Sequence, residues 1–236
     1  MRIGLASYRF ENKNIDFNLS QIKRALVETE GKVELLCFGE AFLQGFDSLC
    51  WNYDIDKEIA VEQDSKLIDL LRNLTVKYKT AILTGYIEKE KDMLFSSCIV
   101  ISDGKIICNY RRISKGWKNY WETDEHYREG NEIKRVKLNG RDMVIALCGD
   151  LWEYPDRFKT KDLIIWPVYV DYSEDEWLQN GLNEYAKQAA LSAKNTLMIN
   201  PIDLNELNHG GSCYFKSGKL IEKTEYDKEQ ILILDI

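Results

Sequence analysis

Short apolar runs recur along this chain, joined alternately by amphipathic stretches and by two-residue turns. That alternation restricts the fold more than any other feature. Arg2–Tyr8 reads as a first strand, and Leu19, Ile22 and Leu26 then recur at helical spacing within 17–30. Val33–Phe38 is a second strand. Asp64 is placed to cap a helix that carries Leu67, Leu70, Leu71, Leu74 and Tyr78 on one stripe, and Thr80–Tyr86 follows as a strand. Asp103-Gly104 and Asn139-Gly140 supply the positive-φ residues that tight hairpins demand. They predict hairpins over 94–113 and 133–148. Asp162–Trp166 is a strand closed by Pro167. A helix is predicted over 174–194 with Trp177, Leu178, Leu182, Tyr185, Ala189 and Ser192 as its stripe, and Thr196–Ile199, Ser212–Phe215 and Gln230–Ile236 complete the strands. Strand–helix–strand units mixed with hairpins specify an α/β fold with a mixed sheet, though the pattern does not divide the strands between one sheet and two. No linker or repeat interrupts the chain, so 1–236 is read as a single domain.

The charge balance, 32 Lys and Arg against 39 Asp and Glu for a net of −7, disfavours nucleic acid or an anionic membrane as a partner. No run approaches the ~20 apolar residues of a membrane span. The opening apolar run is too short for a secretory signal, which makes a cytoplasmic location the expectation. Cysteines at 37, 50, 98, 108, 148 and 213 show no paired spacing, and His126 and His209 lie near no cysteine pair, so neither a metal site nor a cofactor is expected.

Three segments place reactive groups at strand ends. Met143–Leu147 runs into Cys148 and breaks at Gly149, which leaves room for a substrate to reach the backbone N–H behind the thiol. Leu35-Leu36-Cys37-Phe38-Gly39-Glu40 delivers a carboxylate from an apolar strand, where it needs a partner or works as a base. Tyr110-Arg111-Arg112-Ile113-Ser114-Lys115-Gly116-Trp117-Lys118 delivers cations after the hairpin.

An acid, a cation and a thiol in that order resemble the carbon–nitrogen hydrolase family, the nitrilase superfamily. Further resemblances are Arg2-Ile3-Gly4-Leu5-Ala6, Gly104-Lys105-Ile106, Ala146-Leu147-Cys148-Gly149-Asp150-Leu151-Trp152-Glu153-Tyr154-Pro155, Asp162–Pro167, Ala189–Asn200, and Gly211-Ser212 with Gly218, so the likeness extends along the chain. It implies a four-layer α-β-β-α sandwich, a Glu–Lys–Cys triad, homodimers or larger homo-oligomers, and hydrolysis of a small non-peptide amide, or secondarily a nitrile, through a thioester. Carried over, Glu40 is the general base and Cys148 the nucleophile, with the Gly149 amide and a lysine stabilising the oxyanion. The family's lysine position falls on Arg112. Either the strand end is remodelled so that Lys115 reaches the thiol, or Arg112 takes the role, or activity is altered; Lys115 is the expectation taken forward. The family's second glutamate is assigned to Glu122, with Glu125 as the alternative. Trp152, Trp166, Tyr169 and Tyr172 are expected to wall the substrate pocket. An active Cys148 should alkylate below about pH 8, faster than the other five thiols. The rival readings are a catalytically silent binding or structural subunit, and a Cys–His hydrolase using His126 or His209.

Overall fold

The computed structural model describes residues 1–203 and 208–236. In chain order its elements are β1 (Arg2–Ser7), α1 (Ile15–Glu28), β2 (Leu35–Cys37), α2 (Tyr53–Asp56), α3 (Lys66–Tyr78), β3 (Ala81–Glu90), β4 (Met93–Ser102), β5 (Lys105–Arg111), β6 (Arg135–Leu138), β7 (Arg141–Ile145), α4 (Asp150–Glu153), β8 (Leu163–Pro167), α5 (Glu174–Glu176), α6 (Leu182–Ser192), β9 (Asn195–Ile199), β10 (Cys213–Lys216), β11 (Lys219–Lys223) and β12 (Gln230–Asp235). The strands form two six-stranded sheets, ordered β12-β1-β2-β3-β4-β5 and β11-β10-β9-β8-β7-β6. Each has a parallel centre, β1-β2-β3 in one and β7-β8-β9 in the other, flanked by antiparallel strands.

Central strands covered on both faces read as unbroken apolar runs, and period-two alternation sorts their side chains. On β2, Leu35 and Cys37 join Ile3, Leu5 and Leu83 in the core between the sheets, opposite Ile145, Ile165 and Leu197, which share the face of the second sheet turned away from α6. Leu36 points the other way and packs with Ile22 and Leu26 of α1 and Leu71 of α3. On the far side α6 lays Tyr185, Ala186 and Ala189 over the second sheet. The result is the four-layer α-β-β-α sandwich.

Both predicted turns form, with φ of 47° and 74° at Asp103 and Gly104 and of 48° and 80° at Asn139 and Gly140. Three details differ from the sequence reading. Ser65, not Asp64, caps α3, its hydroxyl accepting the N–H of Ile68 at 3.4 Å. Ser217-Gly218 makes a further hairpin turn that adds β11. The stretch 174–194 is not one regular helix but α5, a π turn over Trp177–Gly181, and α6. A Cβ on Gly181 would lie 2.6 Å from the Trp177 ring, so glycine lets the indole fold back under the wide turn. The extra residue rotates the stripe: Trp177 is buried and Leu178 is half exposed.

Candidate active site

Glu40 leaves the end of β2 in a turn that only glycines permit. A Cβ on Gly85 would sit 2.5 Å from both the Ala41 nitrogen and the Gly39 carbonyl oxygen, and one on Gly39 would strike Pro201. Ala41 holds φ of 49°, a left-handed conformation unusual for a residue with a side chain. The second strained residue is Cys148 itself, at φ of 38°. Its N–H donates to the Pro167 carbonyl at 2.9 Å, and its own carbonyl accepts the Trp166 indole N–H at 2.9 Å. The chain around the sulfur is therefore fixed from both sides.

The cation beside Glu40 is Arg112. Its Nη1 donates to Glu40 Oε1 at 2.9 Å, and the two side chains are 4% and 1% exposed, so the pair is shut off from bulk water. Ser96 Oγ donates to the same oxygen at 3.0 Å. Glu40 Oε2 is buried and receives no hydrogen bond among the described residues. Arg112 Nε donates to Ser114 Oγ at 2.6 Å. Its Nη2 lies against the turn after the thiol, where a Cβ on Gly149 would approach within 2.4 Å. The Gly149 N–H meets no protein acceptor among the described residues. Burial works against the guanidinium's charge, but Glu40, Cys148 and Asp150 outweigh it and raise its pKa.

The thiol is pushed up to about 12, first by burial and then by the negative charge of Glu40; Arg112 and the Tyr169 backbone pull it back. Burial and Glu40 thus both favour the protonated thiol in the resting site. Cys50, the exposed cysteine of the six, is the competitor in any labelling experiment.

Lys115 does not occupy the cation position. The strand end keeps its register, the Lys115 N–H donates to Glu153 at 3.0 Å, and the exposed ammonium lies 5.9 Å over the Tyr120 ring. Lys118 is tied to Glu129 at 3.1 Å. Glu122 and Glu125 are exposed, and Glu122 belongs to a turn closed by its N–H on the Asn119 carbonyl. Tyr169 offers the sulfur only its carbonyl, 3.9 Å from Sγ. Its ring stacks on Phe46 with centroids 4.0 Å apart and meets Phe10 at 6.1 Å. Trp152 is 40% exposed and meets Trp166 and Tyr185. His126 pairs with Asp124 and His209 with Asp227, and neither hydrogen-bonds a cysteine.

Two residues that the sequence reading did not single out hold this arrangement together. Asp150, fully buried, accepts from Tyr110 OH at 2.5 Å, Ile113 N at 3.1 Å, Ser114 N at 2.8 Å and Leu147 N at 2.8 Å. It stitches the segment after β5, which carries Arg112, to the turn that carries Cys148. Its place two residues after the thiol was the available signal. Tyr185, from α6, stacks on Trp166 with centroids 5.2 Å apart and feels the charges of Cys148 and Glu40. Its place on the helical stripe marked it as inward-facing, but not as a neighbour of the sulfur.

A family profile described as Carbon-nitrogen hydrolase matches residues 3–154. The Glutamine-dependent NAD(+) synthetase of Thermotoga maritima is 26% identical over 156 residues, 64% of this chain and 26% of that protein. The protein of the same description from Aquifex aeolicus is 26% identical over 160 residues. The chain thus spans about a quarter of the length of these curated relatives. Among solved structures, a CN-hydrolase superfamily protein from Xanthomonas campestris superposes with a TM-score of 0.80 at 18% identity, covering 99% of this chain and 89% of its own. An amidase of the nitrilase superfamily from Nesterenkonia gives 0.80 at 16% identity, covering 100% and 91%. At such identities these two likenesses establish the fold alone. Among the described residues no helix is long and apolar enough to cross a membrane, and no group of three or more His, Cys, Asp or Glu is placed to hold a metal.

Proposed function

The chain belongs to the carbon–nitrogen hydrolase family, and from that premise we propose that it hydrolyses the C–N bond of a small non-peptide amide through a thioester on Cys148. The observation that carries this reading is the free Oε2 of buried Glu40 beside a protonated thiol. Oε1 is engaged by Ser96 and Arg112, so Oε2 is the oxygen left to take a proton.

As the sulfur attacks the amide carbon, its proton passes to Glu40 Oε2 and the carbonyl oxygen gains the negative charge. The Gly149 N–H, which meets no protein acceptor among the described residues, and Arg112 Nη2, which lies against that turn, are the donors that receive that charge. Collapse breaks the C–N bond, and Glu40 returns the proton to the departing amine. Water then attacks the thioester, Glu40 takes a water proton, and the sulfur leaves with that proton as the acid forms. Arginine stays charged throughout, so every proton in this cycle moves through Glu40. The arrangement differs from the expected triad in the cation, and Arg112 takes the role that was given to Lys115.

The curated relatives are named for glutamine dependence, which makes a primary side-chain amide the first substrate to try. Incubating the protein with a panel of such amides and measuring intact mass should reveal an acyl adduct on Cys148. The Cys148→Ala variant should form none and should lose ~10⁴-fold or more of turnover with its melting temperature little changed. Turnover that survives Cys148→Ala would overturn the reading. A wild-type chain that neither turns over nor acylates would be the catalytically silent subunit instead.

A further inference from the structure

We propose that Ser114 is a positioning residue that makes an arginine usable where the family resemblance leads one to expect lysine. The inference rests on the reading of Cys148 as nucleophile and Arg112 as oxyanion donor. A lysine ammonium is a point charge on a flexible stem and needs only to be brought near. A guanidinium is a rigid plane, and its value depends on where each N–H points. Three nitrogens of Arg112 have three different surroundings. Nε donates to Ser114 Oγ at 2.6 Å, Nη1 donates to Glu40 at 2.9 Å, and Nη2 lies against Gly149. Two fixed points in one plane define its orientation, and the third nitrogen is thereby aimed at the turn behind the sulfur.

Ser114 is itself immobilised. It is fully buried, its N–H donates to Asp150 at 2.8 Å, and its hydroxyl lies 3.0 Å from where a Cβ on Gly149 would be. The backbone of Arg112 is held on both sides, by its N–H on the Ser96 carbonyl at 2.9 Å and by the Gly130 N–H on its own carbonyl at 2.7 Å. With the backbone pinned and Nη1 held, the Ser114 hydroxyl is the contact that fixes the remaining freedom of the side chain. Glu40 alone would let the plane swing about the Nη1 contact. Besides its direct charge, Asp150 reaches the cation through this serine, holding the Ser114 N–H while the Ser114 hydroxyl holds Arg112 Nε.

The test is Ser114→Ala, read by steady-state kinetics on an amide that the wild type turns over, by iodoacetamide labelling of Cys148 in a Cys50→Ser background, and by solvent exchange of the ¹⁵N-labelled Arg112 Nε–H. A misaimed oxyanion donor should lower kcat by about a hundredfold while KM stays within about threefold. Alkylation of Cys148 has no oxyanion and should be unchanged, and Nε–H exchange should quicken at least tenfold. Ser114→Cys, which keeps the size but offers a poor acceptor, should behave like the alanine variant. Unchanged kcat in either variant, a loss borne mainly by KM, or altered thiol labelling would each overturn the inference, as would an Nε–H that already exchanges freely in the wild type. A wild type inert toward every amide, yet with an Nε–H that Ser114→Ala releases, would overturn the hydrolase reading and leave the serine's hold on the guanidinium standing.

Discussion

Arg111 ends β5 and Arg112 follows it directly, and each meets a buried glutamate, yet the two pairs are built for opposite ends. Glu88 is fully buried and saturated. It accepts from Arg111 Nη2 at 2.7 Å and Nε at 2.9 Å, Ser97 at 2.5 Å, Asn109 at 2.9 Å and Gln63 at 2.7 Å. Burial alone would raise its pKa, but these donors overcome that and hold it below the usual carboxylate value. Glu40 keeps one oxygen without a donor and has a thiol for a neighbour. A buried carboxylate with every lone pair occupied can only hold the structure together. One left partly unsatisfied costs stability, and the open oxygen is where a proton can go.

Truncating each arginine separates the two roles most sharply. Arg112→Ala should cut turnover by about 10²–10³-fold. Arg111→Ala should leave kcat of the folded enzyme within about threefold, but lower unfolding free energy by about 3 kcal/mol by stranding Glu88, as chemical denaturation would register. Equal effects on turnover would erase the distinction.

A finer test addresses the thiol. Glu40 raises the Cys148 pKa and Arg112 lowers it, so Glu40→Gln removes the raising neighbour and leaves the lowering one. In a Cys50→Ser background, iodoacetamide should then label Cys148 about tenfold faster at about pH 8 for each unit the thiol pKa falls, even though amide turnover is lost. Slower labelling would mean that Glu40 acts as a base toward the resting thiol as well.

The smallest effect concerns acid stability. Because the folded pKa of Glu88 is depressed, its contribution is present above the unfolded value near ~4.3 and is lost as pH falls through the folded value. Glu88→Gln should therefore flatten the acid limb of the stability curve below about pH 4. An unchanged acid limb would place the acid sensitivity elsewhere.

Much of this was legible in advance because it is local. The two Gly-containing hairpin turns, the apolar runs of the parallel centres and the helical stripes are statements about neighbours in sequence, and they formed within a few residues of where the pattern put them. What went astray depended on which groups the folded chain brings together, some of them remote in sequence. Tyr169 was expected among the aromatics walling the pocket, but its ring stacks on Phe46, which lies more than a hundred residues earlier. Lys115 was favoured for its chemistry, and the loop carried it out to Tyr120 and Glu153. The π turn over Trp177–Gly181, with the Trp177 ring packed where a Gly181 Cβ would sit, is a departure that helical periodicity does not encode.

By itself the sequence determined that an acid, a cation and a thiol each stand at the end of an apolar strand, and that the strands and helices alternate as an α/β fold requires. Only the tertiary structure decided which cation joins the acid. Adjacent strand residues project to opposite faces, so Arg111 and Arg112 part company after one peptide bond. The stacking of the two sheets is what brings one of those faces, and not the other, against the turn that bears the sulfur.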